Sequence, residues 1–488
     1  MRFTSKSGVK YWFDDKIGIS YPDIHESDKS LNKQRSPVGN GSITHPDREN
    51  AYNEKFKEKI EKIRLKTPIE PKKHFDDDTI RKLFLRHGLL QMTLGVTEDC
   101  NLACRYCVFS NHYEYTRSPT KKKMEFRTAK TALDYYMALL KEGDRFNPTR
   151  VTSIGFYGGE PLLNFQLIKK CVNYLNTTYP ERTHSFSLTT NGTLLNDKIA
   201  DFLIVNDFSI AVSIDGPREE HDRNRIYKNG NGTFSDIMKN IKPLVDRKYE
   251  KIHSLAVFDV KSDHFRLQEF FNRSDIPQLS SVSMPTPGTG CNYYDQFTEE
   301  DYVQFRQQEE RAFTDYLDNL KDRPERISFF DHVFGIYSNK LVYTVPSLID
   351  RNNFFVPFSG ACIPGRKLFV DTSGDYHLCE RINSSFPIGN VDKGLDLLKI
   401  RQFLENYISH LDHCSSCNAQ RLCSKCYCAF STDGQFLPAS SICKKFELNT
   451  CNDLSRAFTI GERSSRALSQ VSDDYYSWLA KISTTMGD

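Results

Sequence analysis

Between residues 89 and 285 the chain alternates short apolar runs with longer stretches in which apolar positions recur at helical spacing. The short runs, 90–96, 151–156, 186–190, 208–214, 253–257 and 279–284, have the length and composition of strands. Residues 124–142, 165–175, 195–203, 234–246 and 263–271 carry the 3.6-residue period of amphipathic helices. Six strands with intervening helices predict an α/β fold: a parallel sheet with right-handed crossovers, closed or partly closed into a barrel. An open doubly wound sheet would share this pattern.

Ahead of this region the pattern is broken. Residues 9–21 predict two short strands around an Asp14-Asp15-Lys16 turn, and 25–52 is a Ser-, Asn-, Gly-, Pro- and Asp-rich loop. Phe56, Ile60 and Ile63, then Ile80, Leu83 and Phe84 before His87 and Gly88, predict two helices. Beyond the barrel, 298–352 shows aromatic-rich helical patterns. The expected units are an N-terminal module (1–88), the barrel (89–285), a helical bridge (286–355), a cysteine-rich domain (356–450) and a C-terminal tail helix (451–488).

Length and charge narrow the function. A chain of 488 residues, 38% hydrophobic and 26% charged, can bury several cores. Its 66 basic and 63 acidic residues leave a charge of +3, which argues against nucleic acid as principal partner. No run approaches the roughly 18 apolar residues of a membrane span, and residues 1–12 lack a signal-peptide apolar region, so a cytoplasmic protein without membrane partners is expected.

The 14 cysteines carry the chemistry. In such a compartment they are expected to serve as metal ligands or in catalysis. Cys100, Cys104 and Cys107 fall in a C-x3-C-x2-C loop directly after the first predicted barrel strand, where barrels of this kind build active sites. Three thiolates on one loop can hold three irons of a [4Fe-4S] cube and leave the fourth open. A structural zinc site wants four protein ligands, and this loop's spacing supplies no fourth. Eight more cysteines crowd between Cys362 and Cys443, while Cys171, Cys291 and Cys451 stand apart.

The loop, with Tyr106 before its last cysteine, resembles the signature of the radical S-adenosylmethionine (radical SAM) enzymes. The resemblance implies a partial (β/α)6 TIM-like barrel, with S-adenosylmethionine chelated by the open iron and cleaved to a 5'-deoxyadenosyl radical. Gly158-Gly159-Glu160, after the second strand, looks like the element that receives the amino group of S-adenosylmethionine; glycines allow close backbone approach, and a carboxylate suits an ammonium. Residues 189–193 and 213–217 resemble family segments too, and by that resemblance Ser213 and Arg225 are expected to hold the cofactor's carboxylate. His221 alone reads as a structural histidine. Gly230-Asn-Gly232 and Gly288-Thr-Gly290 lack a dinucleotide-binding context.

The C-terminal cysteines resemble the SPASM extension of radical SAM enzymes, which implies two auxiliary [4Fe-4S] clusters, hence three clusters in all. Cys362-x11-Gly374-x4-Cys379 and Cys414-x2-Cys417-x5-Cys423 fit its spacing. By that pattern Cys414, Cys417, Cys423 and Cys443 hold the second auxiliary cluster. The first takes Cys362, Cys379 and either Cys426 or Cys428, because the chain offers x2 or x4 where the pattern has x3. No cysteine lies between Cys362 and Cys379, so either Cys426 and Cys428 both bind, or Cys291 or Cys451 reaches in, or one iron stays open; an open iron is expected in preference to double ligation. A zinc ribbon would explain the C-x2-C pairs alone.

Together these resemblances predict a maturase that installs a thioether or carbon-carbon cross-link in a ribosomally made precursor peptide. The peptide's leader would be held by the N-terminal module through strand addition, with residues 9–21 and the helix around Phe56 to Leu65 supplying an edge strand and groove, the alternative being a plain structural cap on the barrel. A ferredoxin or flavodoxin would donate electrons. The alternative is an anaerobic sulfatase-maturating oxidase that makes formylglycine. No acid or base is assigned; Asp259 and Tyr293 are unranked candidates.

Overall fold

The computed structural model describes residues 1–15, 19–22, 75–285, 288–320, 326–336, 365–410, 414, 416–419, 422–423, 425–437 and 440–482. The helix expected around Phe56, Ile60 and Ile63, and the ligand Cys362, lie outside the described residues.

Three short strands, β1 (Arg2–Thr4), β2 (Lys10–Asp14) and β3 (Ile19–Pro22), form an antiparallel meander in that order. Of the predicted Asp14-Asp15-Lys16 turn, Asp14 ends β2 and Lys16 lies outside the described residues. Helix α1 (Asp77–His87) follows. The Asp76 carboxylate accepts from the Thr79 amide at 2.7 Å, Asp77 and Asp78 sit in its first turn, and Arg86 and His87 sit in its last. Each satisfies an end of the helix dipole.

The barrel strands are β4 (Gln91–Thr97), β5 (Thr152–Gly158), β6 (His184–Thr190), β7 (Ser209–Ser213), β8 (Ile252–Val257) and β9 (Gln278–Ser283). They lie side by side in chain order, every neighbouring pair parallel. The crossovers are made by α2 (Phe126–Gly143), α3 (Phe165–Thr178), α4 (Asp197–Val205), α5 (Arg218–Asn224) with α6 (Phe234–Asp246), and α7 (His264–Phe271). Sheets covered by helices bury both strand faces, and β4 is buried at every position after its first. Met92, Leu94 and Val96 share one core with Ala132, Leu133, Tyr136 and Leu140 of α2. A fully buried leucine there contributes about 1.5–3 kcal/mol, and the Tyr136 hydroxyl donates to the Leu89 carbonyl at 2.8 Å.

After the barrel come α8 (Glu299–Asp318), opened by a Thr298/Asp301 capping box, and then β10 (Lys367–Val370), β11 (Asp375–His377), β12 (Gly389–Asn390) and β13 (Gly394–Leu395). Strand β10 pairs parallel with β4, and β11–β13 continue antiparallel, so among the described residues one ten-stranded sheet runs from β13 to β9. Helices α9 (Leu397–Ser409), α10 (Ser440–Arg463) and α11 (Ser465–Ile482) complete the fold. The tail expected as one helix is part of two. The Tyr475 hydroxyl of α11 donates to the Ser280 carbonyl of β9 at 2.8 Å, which places that helix against the sheet's far edge.

Candidate active site

The C-terminal ends of β4 to β8 point the same way, and the residues singled out in the sequence follow those ends. Where β4 stops, Thr97 bends the chain into the cysteine loop. Gly159 donates its N–H to the Thr97 carbonyl at 3.0 Å, and Glu160 donates to the Asp99 carbonyl at 2.9 Å. Gly158, at φ +140°, and Gly159 press against Thr97 and Asp99 so closely that a Cβ on either would overlap a carbonyl oxygen. The two glycines are thus needed to lay the β5 loop along the residues that lead into Cys100.

Glu160 sits behind this contact, fully buried. Its Oε1 accepts from the Leu162 amide at 3.0 Å and from the Thr190 hydroxyl at 2.8 Å, and its Oε2 accepts from the Asn191 amide at 2.7 Å. Burial pushes its pKa up to about 7 against the pull of these bonds. The carboxylate ties the ends of β5 and β6 together. Asn191 passes the order on: its Nδ2 donates to Asn101 Oδ1 at 2.9 Å and lies 3.8 Å from Cys100 Sγ. Asn101 in turn donates to the Thr193 hydroxyl at 2.8 Å.

On the opposite side Asp215 is the hub. Its carboxylate accepts from the Tyr106 hydroxyl, from Arg225 Nε at 3.0 Å and from the Val257 amide at 3.0 Å. Its own amide donates to His221 Nδ1 at 3.2 Å, and His221 Nε2 is 3.0 Å from the Thr233 hydroxyl, which donates to the Arg225 carbonyl. A ring that accepts at Nδ1 and donates at Nε2 is neutral, and burial lowers its pKa to about 4. The Arg225 guanidinium lies 5.4 Å from the Tyr106 ring centroid and brings Nη1 to 3.9 Å from Cys104 Sγ. Tyr106 and Arg225 are therefore brought together, while Ser213 is half-buried at the end of β7.

Cys100, Cys104 and Cys107 are free, half-buried thiols. Burial pushes Cys100 and Cys104 up to about 11, with Arg225 opposing it at Cys104. Iron binding displaces these protons. The trio fits a multi-iron cluster: three soft donors on one loop, held by the Gly-Gly-Glu and Asn191 contacts, with a guanidinium beside one sulfur.

Of the unranked acid-base candidates, Asp259 is an anchor. Both oxygens lie 2.6 Å from Arg223 Nη1, and Oδ2 also accepts from Asn224 at 2.9 Å and from the Tyr293 hydroxyl at 2.9 Å. Burial would raise its pKa, but the Arg223 pair prevails and holds it low.

Sequence reasoning missed a second layer, formed where the segment after β11 reaches the barrel mouth. Tyr157, at the end of β5, feels the charges of Glu380, Cys107, Arg381 and Arg225. Glu380 Oε2 is buried with no hydrogen-bond partner among the described residues. Adjacency to Cys379 was the one sequence signal that could have found Glu380.

Residues 94–265 match the Radical SAM superfamily. An uncharacterized protein of Methanocaldococcus jannaschii is 39% identical over 154 residues, 32% of this chain and 48% of that relative, so this match spans about half the relative's length. A cysteine-type anaerobic sulfatase-maturating enzyme of Clostridium novyi is 25% identical over 69% of this chain and 87% of its own. The solved structure of native anSMEcpe with bound AdoMet superposes with a TM-score of 0.55 at 19% identity, covering 78% of this chain and 99% of that one, which shows a shared fold. With the cysteine loop, the Gly-Gly-Glu turn and the parallel sheet in the expected places, residues 94–265 are a radical SAM domain.

Proposed function

We propose that this enzyme oxidises a side chain in a peptide or protein, with S-adenosylmethionine and a [4Fe-4S] cluster at Cys100, Cys104 and Cys107. In this reading the C-terminal cysteines hold two auxiliary clusters, and a cytoplasmic ferredoxin or flavodoxin supplies the electron. When bound, these groups supply a 5'-deoxyadenosyl radical that abstracts hydrogen and a sink for the electron then released. The observation that carries the reading is that Tyr157, at the end of β5, lies within electrostatic reach of Cys107 and Arg225 as well as of Glu380, beside Cys379.

The chain's own groups divide the work. Gly158 and Gly159 present backbone to the cofactor's ammonium, and Glu160 acts through the loop it fixes, because its oxygens already accept three hydrogen bonds. Ser213 and Arg225 face the cofactor's carboxylate. The open Oε2 of Glu380 accepts the substrate proton that oxidation releases. Glu380→Gln should keep cleavage of S-adenosylmethionine and lose peptide product about 10²–10⁴-fold; equal loss of both would remove that role.

The product separates two readings. A thioether or carbon-carbon cross-link leaves the peptide lighter by two hydrogens. The relative matched along 87% of its length favours a second reading, oxidation of a peptidyl cysteine to formylglycine, in which oxygen replaces sulfur as well. Reduced, iron-loaded enzyme is to be incubated with S-adenosylmethionine and cysteine-bearing or aromatic-rich peptides, with and without leader segments. 5'-Deoxyadenosine together with either mass change is expected. Its absence with every peptide would overturn the proposal.

A further inference from the structure

The C-x-C pair Cys426 and Cys428 departs from the spacing of the extension this region resembles. In an unbroken strand, residues two apart share a face but stand two rises apart, and in a helix they diverge. Neither arrangement holds here. Cys426 is extended (φ −119°, ψ −178°), and the helical turn Tyr427–Phe430 begins at the next residue, so the backbone bends sharply between the two cysteines.

The bend gathers the thiols. Cys428 Sγ lies 3.9 Å from Cys379 Sγ, 49 residues away in sequence, and also hydrogen-bonds with Cys426. All three are free thiols. Two cations lie within electrostatic reach of them, Arg381 of Cys426 and Arg117 of Cys379. Arg117 lies over the Phe369 ring at 4.9 Å, donates Nε to the Ile382 carbonyl at 3.2 Å and stands 3.5 Å from Asp371. Its Nη2 is nevertheless buried without a hydrogen-bond partner among the described residues. A buried, unmet guanidinium donor beside a thiol suits an anionic, thiolate-ligated cluster. The backbone is pinned from the barrel side, where the Thr289 amide donates to the Ala429 carbonyl at 3.3 Å.

We propose that Cys379, Cys426 and Cys428 bind a single auxiliary cluster, both members of the C-x-C pair serving as ligands to different irons, with Arg117 facing its anionic edge. This rests on the reading that the C-terminal cysteines hold iron-sulfur clusters. Each thiol releases its proton to solvent as its sulfur binds iron, and no electron is transferred. The open iron expected from the sequence is replaced by a second thiolate from the same turn.

The test uses the full chain, reconstituted anaerobically. Cys426→Ala and Cys428→Ala should each lose up to about four irons, one cube, or give a three-iron signal in the oxidised EPR spectrum. Both should still cleave S-adenosylmethionine at the barrel site. If either variant keeps the wild-type iron content and spectrum, only one of the pair is a ligand and the proposal fails. Should a variant not fold, alkylation of the wild-type protein decides: Cys379, Cys426 and Cys428 should all resist iodoacetamide until iron is removed. Alkylation of one while the others stay protected, or a Cys379–Cys428 disulfide in iron-loaded protein, would overturn it. A wild-type chain carrying only about four irons would instead remove the underlying reading of auxiliary clusters.

Discussion

His221 shows how much of this site is built from groups that never touch a substrate. It is fully buried between the Asp215 amide and the Thr233 hydroxyl, and its neutral tautomer passes order from β7 to Arg225. In the unfolded chain a histidine takes its proton near pH 6.5, whereas here burial delays protonation to about 4. Between these values the unfolded state binds more protons, so stability is lost as the pH falls through that window, by about 2–3 kcal/mol. His221→Gln removes the titration. Its stability deficit relative to wild type at pH 7, measured by urea unfolding, should shrink by about 2 kcal/mol at pH 4.5; an unchanged deficit would mean that the ring is protonated in the fold. Gly159 makes a steric case. A methyl group there meets the Asp99 carbonyl, so Gly159→Ala should cost about 1–3 kcal/mol and the iron of the barrel site, read by thermal unfolding and iron assay.

At the scale of elements, what the sequence disclosed tracks the strength of the periodic signal. The six barrel strands and five crossover helices could be read because each runs long enough for alternation or a 3.6-residue period to accumulate. Strands β10 to β13 are two to four residues long and carry no period, so the sheet's extension was invisible. The motif residues were legible because their spacing is local. Tyr157 interacts with Glu380, and Arg117 with Asp371, each across more than 200 residues of chain, and no local pattern records that. The N-terminal meander is a further instance. Phe3 and Phe13 bury themselves with Leu422, which lies beside Cys423, and with Leu454 of α10. The Lys6 amide donates to the Thr459 hydroxyl at 2.8 Å and the Tyr11 hydroxyl to Glu462 at 2.7 Å. The meander therefore covers the segment expected to hold the second auxiliary cluster, and the helical half of the groove expected for a leader lies outside the described residues. Phe13→Ala should cost about 3–5 kcal/mol and release up to about four irons during gel filtration. Full retention of iron would show that the meander does not protect that site.

The whole molecule is organised by the continuity of one sheet. Strand β10 belongs to the cysteine-rich half by sequence but pairs with β4, the strand that delivers the cysteine loop, in the register Lys367↔Gln91 to Val370↔Leu94. Gly95 lets the contact close, since a Cβ there would come within 2.7 Å of the Phe369 ring. Thr372 and Thr120 both donate to the Glu98 carboxylate, so the turn after β10 is tied to the residues just before Cys100. A strand at the centre of a parallel sheet cannot lose a neighbour without exposing a row of unpaired backbone groups. Removing β10 would also uncover the wholly buried Leu368 and Val370 contacts of the core. If the two halves were independent, a chain ending at Pro364 would fold, hold about four irons at the barrel site and cleave S-adenosylmethionine. The continuity of the sheet predicts the opposite: the truncated chain should aggregate or fail to retain iron, and intact protein should lose its barrel and C-terminal structure in one thermal transition. A soluble, iron-loaded 1–364 chain with two separable transitions in the parent would show that β10 adds to a barrel already complete without it.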